Sequence, residues 1–203
     1  MPLNISFDVD VLEYDGAELK KWKDGKRDEC SDEFCRRLSG TNGFGEYIVG
    51  KHFEARGYKW IHHDFDLFGT NRKGKYPKSE KVLSDYFGEE RLLAMRSLHK
   101  TLFPFREPRH HPLEAPDLLI FKSNSQTTTE VRFAESKRLD TRDRLNSRQI
   151  LGLFLIDALL KCPIQLFIVR ERGSAKGAPR TLEFAFNVPA QKRPAADAPR
   201  ARR

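Results

Sequence analysis

The stretch APDLLIFKSNSQTTTEVRFAESK, residues 115–137, decides how this chain is read. Residues 117–121 (DLLIF) are a compact apolar run. Residues 130–137 (EVRFAESK) alternate apolar with polar positions, and the polar segment 123–129 between them is rich in turn formers. The pattern predicts a β-hairpin. On its second strand Glu135 and Lys137 stand two residues apart, so their side chains leave the same face and Ser136 leaves the other. Phe133 and Leu139 belong to the Glu135 face, which makes that face largely interior. An ion pair near the end of a sheet accounts for a lone Glu-x-Lys. Asp117 adds a second carboxylate, placed after Ala115-Pro116 at the opening of the partner strand. Two carboxylates beside an ammonium suit a hard divalent cation, Mg²⁺ or Mn²⁺, and the hydrolysis of a phosphodiester.

Outward from the hairpin, residues 146–160 carry helical spacing and open on Asn146-x-x-Gln149, which resembles a capping box. Residues 164–170 read as a buried strand, and 181–188 as a strand expected to pair with it. Toward the N-terminus, 43–57 (GFGEYIVGKHFEARG) has helical spacing and ends at a glycine suited to a left-handed helix stop. Residues 58–61 suit a short strand, 69–81 a loop, 89–102 a helix, and 5–12 a strand with one buried face. The central order is helix, strand, strand, strand, helix, strand, an α/β domain with a mixed sheet flanked by helices. One domain is expected over 1–188, with an N-terminal extension and an insertion near 69–111. The tail 189–203 (PAQKRPAADAPRARR) is too poor in large apolar residues to pack and is expected to be disordered.

Bulk properties narrow the function. The 203 residues carry 37 Lys+Arg against 29 Asp+Glu, a formal charge of +8, which favours an anionic partner. Three cysteines, Cys30, Cys35 and Cys162, do not make a disulfide framework, and a single Cys-x4-Cys is short of a zinc site. The start lacks the basic and apolar regions of a signal peptide, and the longest apolar run, 150–160, is interrupted by Asp157 and too short to cross a bilayer. An intracellular, cytoplasmic protein with no membrane partner is expected.

Pro116-Asp117, Glu135-Ser136-Lys137, the Ser147-Arg148-Gln149 helix start and the return strand at 164–170 together resemble the VRR-NUC branch of the PD-(D/E)XK nuclease superfamily. The resemblance covers residues 115–170 well and the helix around Glu46 more loosely. It implies a restriction-endonuclease-like core (αβββαβ) and a metal-dependent nuclease acting on DNA, in repair, recombination or phage-related processes. Asp117 and Glu135 would be metal ligands, Lys137 the catalytic lysine and Gln149 an active-site helper. The capping box alone also explains Gln149. The family's acidic residue from an early helix corresponds to Glu46, which shares an inward stripe with Val49 and Phe53 but would also favour the helix dipole.

Arg138, Arg142, Arg144 and Arg148 surround this centre and could grip phosphate, or belong to a solvated loop of mixed charge. His62-His63 and His110-His111 are set aside as ligands, because neighbours on a strand point to opposite faces. The alternative function is a non-catalytic nucleic-acid-binding module of the same fold. DNA is the expected partner, and self-association as a homodimer is left open. Lys192, Arg193, Arg200, Arg202 and Arg203 against Asp197 give the tail five cations to one anion. Deleting 189–203 is therefore expected to leave the fold intact, weaken DNA binding and flatten its salt dependence, as read from titrations at low and moderate salt.

Overall fold

The computed structural model describes residues 2–102, 113–125, 127–141, 143–174, 177 and 179–187. Six strands, β1 (Pro2–Tyr14), β2 (Lys59–His62), β3 (Leu118–Ser123), β4 (Thr128–Arg138), β5 (Ile164–Glu171) and β6 (Thr181–Asn187), form one sheet in the order β2-β3-β4-β5-β1-β6. The helices are α1 (Gly16–Lys23), α2 (Glu33–Arg37), α3 (Phe44–Glu54), α4 (Pro77–Phe87), α5 (Glu89–Leu102) and α6 (Ser147–Leu155). The last runs into a π-helical turn, Ile156–Leu160. This is a mixed α/β domain with helices on both faces of a mixed sheet.

The hairpin forms as its pattern predicts: β3 and β4 pair antiparallel, with Leu118 opposite Ala134 and Phe121 opposite Val131. β4 then pairs parallel with β5, and α6 makes the crossover that a parallel pair requires. The apolar run in β3 follows from burial on both faces. Leu118 and Ile120 pack with Phe44, Val49, Phe53 and Trp60 on the side of α1 to α3. Leu119 and Phe121 pack with Leu83, Met95 and Phe133 on the side of α4 to α6.

Two expectations need correction, and one stretch without a predicted element gains two helices. β6 pairs antiparallel with β1 rather than with β5, because both edges of β5 are already occupied, by β4 and by β1. The segment expected to be loop as far as residue 81 enters α4 at Pro77, since proline at the first helical position costs no hydrogen bond and Val82, Leu83 and Phe87 form a buried stripe. The unpatterned region after β1 contains α1 and α2. Asp15 and Asp32 cap them, accepting from the backbone N–H of Ala17 and Cys35, and few buried residues mark them: Leu19 and Trp22 in α1, Cys35 in α2.

Two glycines set how closely the helices approach the sheet end that carries the acidic residues. A Cβ on Gly45 of α3 would come within 2.6 Å of Ser136 Oγ, and one on Gly152 of α6 would run into the Glu114 carbonyl oxygen. Gly152→Ala, although it raises helix propensity by about 1 kcal/mol, is expected to destabilise by roughly 1–3 kcal/mol overall. Urea denaturation checks this, and an unchanged midpoint would show that α6 is free to move away from Glu114.

Candidate active site

The sheet topology brings the predicted site together. Asp117 stands just before β3 and, through the hairpin register, beside Glu135. Its backbone N–H donates to Glu135 Oε2 at 3.1 Å, and its own Oδ2 accepts from the Ser136 N–H at 3.0 Å. Glu135 is fully buried. Its Oε1 accepts from Lys137 Nζ and from Gln149 Nε2, each at 2.7 Å. Lys137 also reaches Asp143 Oδ2 at 3.4 Å. Ser136 faces the opposite side, against α3.

Gln149 serves two partners at once. Its Oε1 accepts from the Asn146 N–H, closing the capping box, while its Nε2 donates to Glu135. A side-chain amide has one end for each. The cap holds the start of α6 against the hairpin, so the helix-capping residue also places a donor on the buried carboxylate.

Glu46 lies in the first turn of α3, on the stripe it shares with Val49 and Phe53. Its side chain is one-fifth exposed, and Oε1 lies 3.9 Å from His62 Nε2. Burial, and then the charge of Asp117, push its carboxyl up to about 7. Burial likewise raises Asp117 against the pull of Lys137, and burial together with Asp117 raises Glu135 well above the carboxylate range. Burial opposes the charge on Lys137, but Glu135 and Asp117 outweigh it and hold the ammonium above the ordinary lysine value. Acidic charge is therefore in excess at this end of the sheet.

Among the described residues, no three carboxylates, thiols or imidazoles converge as a preformed metal site. The Glu135 oxygens are occupied by Lys137, Gln149 and the Asp117 N–H. In kind, however, the donors fit a hard divalent cation: they are all oxygen, and three carboxylates, those of Glu46, Asp117 and Glu135, face one ammonium in a site that burial makes costly for negative charge.

The arginines divide. Arg138 is buried, its guanidinium bound to Asp140 and the Thr41 carbonyl and lying 5.4 Å from the Phe44 ring. It fastens the end of β4 to the start of α3, so its role is structural rather than the phosphate contact expected of a loop arginine. Arg148 pairs with Glu114 at 2.7 Å and stays half-exposed, and Arg144 is exposed. Arg142, His110-His111 and the basic tail lie outside the described residues.

His62 and His63, which strand alternation argued against, border the site. His62 ends β2 buried at 2% exposure, and His63 turns the chain at φ 55°, so the two rings lie 4.2 Å apart instead of on opposite faces. Only the pairing of β2 with β3 reveals this place beside Asp117. Comparison with protein-family models, curated proteins and solved structures returns no match. Among the described residues, no helix is long and apolar enough to cross a membrane.

A carboxyl raised by folding binds its proton more tightly in the native state. Its stabilising contribution is full below the ordinary carboxylate pKa and is lost as pH climbs toward about 7. Glu46→Gln is expected to raise the stability of the metal-free protein at pH 8 by up to about 3 kcal/mol and to flatten the decline below pH 7. Glu54→Gln, in contrast, still accepts from the Trp60 indole N–H and is expected to give no such gain. Urea denaturation across this pH range checks both, and equal responses would remove Glu46 from the acidic cluster.

Proposed function

We propose that this chain is a divalent-metal-dependent nuclease of the PD-(D/E)XK type, with a restriction-endonuclease-like core, that hydrolyses DNA phosphodiester bonds. The observation that carries the reading is the arrangement around Glu135: a fully buried carboxylate receiving Lys137 and Gln149 on one oxygen and the Asp117 N–H on the other. An isolated structural ion pair needs no second carboxylate and no amide from a distant helix. The order α3, β2, β3, β4, α6, β5, with α4 and α5 inserted between β2 and β3, supports the same core.

Glu46, Asp117 and Glu135 would hold Mg²⁺ or Mn²⁺. Such an ion supplies a water of lowered pKa and neutralises charge on the phosphoryl group. Glu135 orients Lys137, whose ammonium stays charged and can align the nucleophile or meet charge growing on a phosphoryl oxygen. Gln149 keeps the Glu135 carboxylate in one orientation. Arg144 and Arg148 stand at the rim of the α6 start, where a backbone phosphate of DNA would pass.

Cleavage of labelled single-stranded, duplex, flap and four-way DNA is expected only with Mg²⁺ or Mn²⁺. Asp117→Asn and Glu135→Gln are expected to abolish it while DNA binding remains. Lys137→Ala is expected to lose on the order of 10²–10³-fold in rate yet keep the metal-induced rise in melting temperature, since its part is played in the transition state. Equal cutting by chelator-treated protein would overturn the reading.

A further inference from the structure

Beside the acidic cluster, between α2, the end of β2 and the start of α3, lies an open cleft of about 530 Å³. One wall is aromatic: Phe34 is about a third exposed, and its ring meets the rings of His62 and His63 edge-on at 5.5 and 6.2 Å. Asn42 and Arg138 also line it, and Glu46 and Asp143 lie on the side of Asp117 and Lys137. His62 is almost completely buried, yet among the described residues neither of its ring nitrogens has a hydrogen-bond partner, and the 3.9 Å to Glu46 is beyond hydrogen-bonding reach. Both nitrogens are covered, so the imidazole serves as part of the cleft wall rather than as a hydrogen-bonding group for an occupant. Backbone strain marks the same place: His63, a side-chain-bearing residue, is held in the left-handed region, where positions near functional sites often sit.

The chemistry of the cleft selects its occupant. Glu46 and Asp143 disfavour a phosphate, since the Arg138 guanidinium that also lines the cleft is engaged by Asp140 and the Thr41 carbonyl, whereas a nucleobase brings a π-face for the aromatic wall of Phe34 and His63. We infer that the cleft receives the base of an unpaired nucleotide adjoining the scissile phosphodiester, so that the preferred substrate is single-stranded or frayed DNA rather than intact duplex. A paired base is held in its stack and cannot enter a pocket behind the sheet end without being swung out. Asp32 holds the cleft in shape: one oxygen caps α2 through the Cys35 N–H and the other accepts from the His62 N–H, which ties the Phe34 helix to the end of β2. The inference rests on the nuclease reading for its scissile phosphate, but the cleft is tested separately.

Binding of the full chain is measured in chelator by fluorescence anisotropy, with a labelled single-stranded oligonucleotide and with its blunt duplex. Phe34→Ala, an exposed position, is expected to weaken single-strand binding by about tenfold and leave duplex binding unchanged, and Phe34→Trp is expected to restore it. Equal losses on both DNAs, no loss on the single strand, or no DNA binding by the unaltered chain overturns the cleft assignment. Cleavage by the unaltered chain in Mn²⁺ reports on the nuclease reading alone. Phe34-dependent binding without cutting keeps the cleft and removes the nuclease, while cutting with Phe34-independent binding does the reverse.

Discussion

A carboxylate with no exposure to water has to find its donors inside the protein, and for Glu135 they come from separate parts of the chain: Lys137 on its own strand, the Asp117 backbone on the neighbouring strand, and Gln149 from the crossover helix. Losing any one leaves a buried charge incompletely satisfied, at a cost of about 1–3 kcal/mol or more. The hairpin register, the capping box of α6 and the approach of α6 to Glu114 are therefore one arrangement. The register sets Asp117 beside Glu135, the cap turns Gln149 inward, and Gly152 lets the helix come near enough for the amide to reach.

The same end of the sheet is electrostatically unbalanced. Glu46 arrives from α3 and Glu135 from β4, and burial followed by the charge of Asp117 raises the proton affinity of both against the pull of Lys137. A fold selected only for stability would replace some of these acids with apolar groups of similar volume. Under the proposed reading the excess is what a divalent cation would neutralise.

Buried contacts brace the surroundings. Arg138 locks the end of β4 to the start of α3 through Thr41 and Asp140, and Asp32 joins α2 to the end of β2. Both are largely buried charged side chains turned to structural use by their hydrogen bonds, Arg138 to Asp140 and the Thr41 carbonyl, Asp32 to backbone N–H groups. They hold the acidic cluster and the adjoining aromatic cleft together at one end of the sheet.

Local pattern was enough to read the elements nearest the site: the β3–β4 hairpin, the Asn146-x-x-Gln149 cap, the helix carrying Glu46 and the facing of Glu135 with Lys137 all follow from periods of 2 and 3.6 residues and from cap chemistry. The same pattern could not show α1, α2 or α4, whose few apolar residues sit among charges or behind a proline, nor that β6 pairs with β1, since strand partners are chosen by which edges remain free. Spacing nominated Arg138 for phosphate and dismissed His62. Tertiary structure reversed the first by surrounding Arg138 with Asp140 and Thr41. The alternation argument about the histidines does not hold there, because β2 ends at His62 and the chain turns at His63, which brings the two rings together, although among the described residues no metal-binding group forms. Residues near in sequence reveal their facing through backbone geometry alone, but which distant groups satisfy a buried charge is decided only when the sheet assembles.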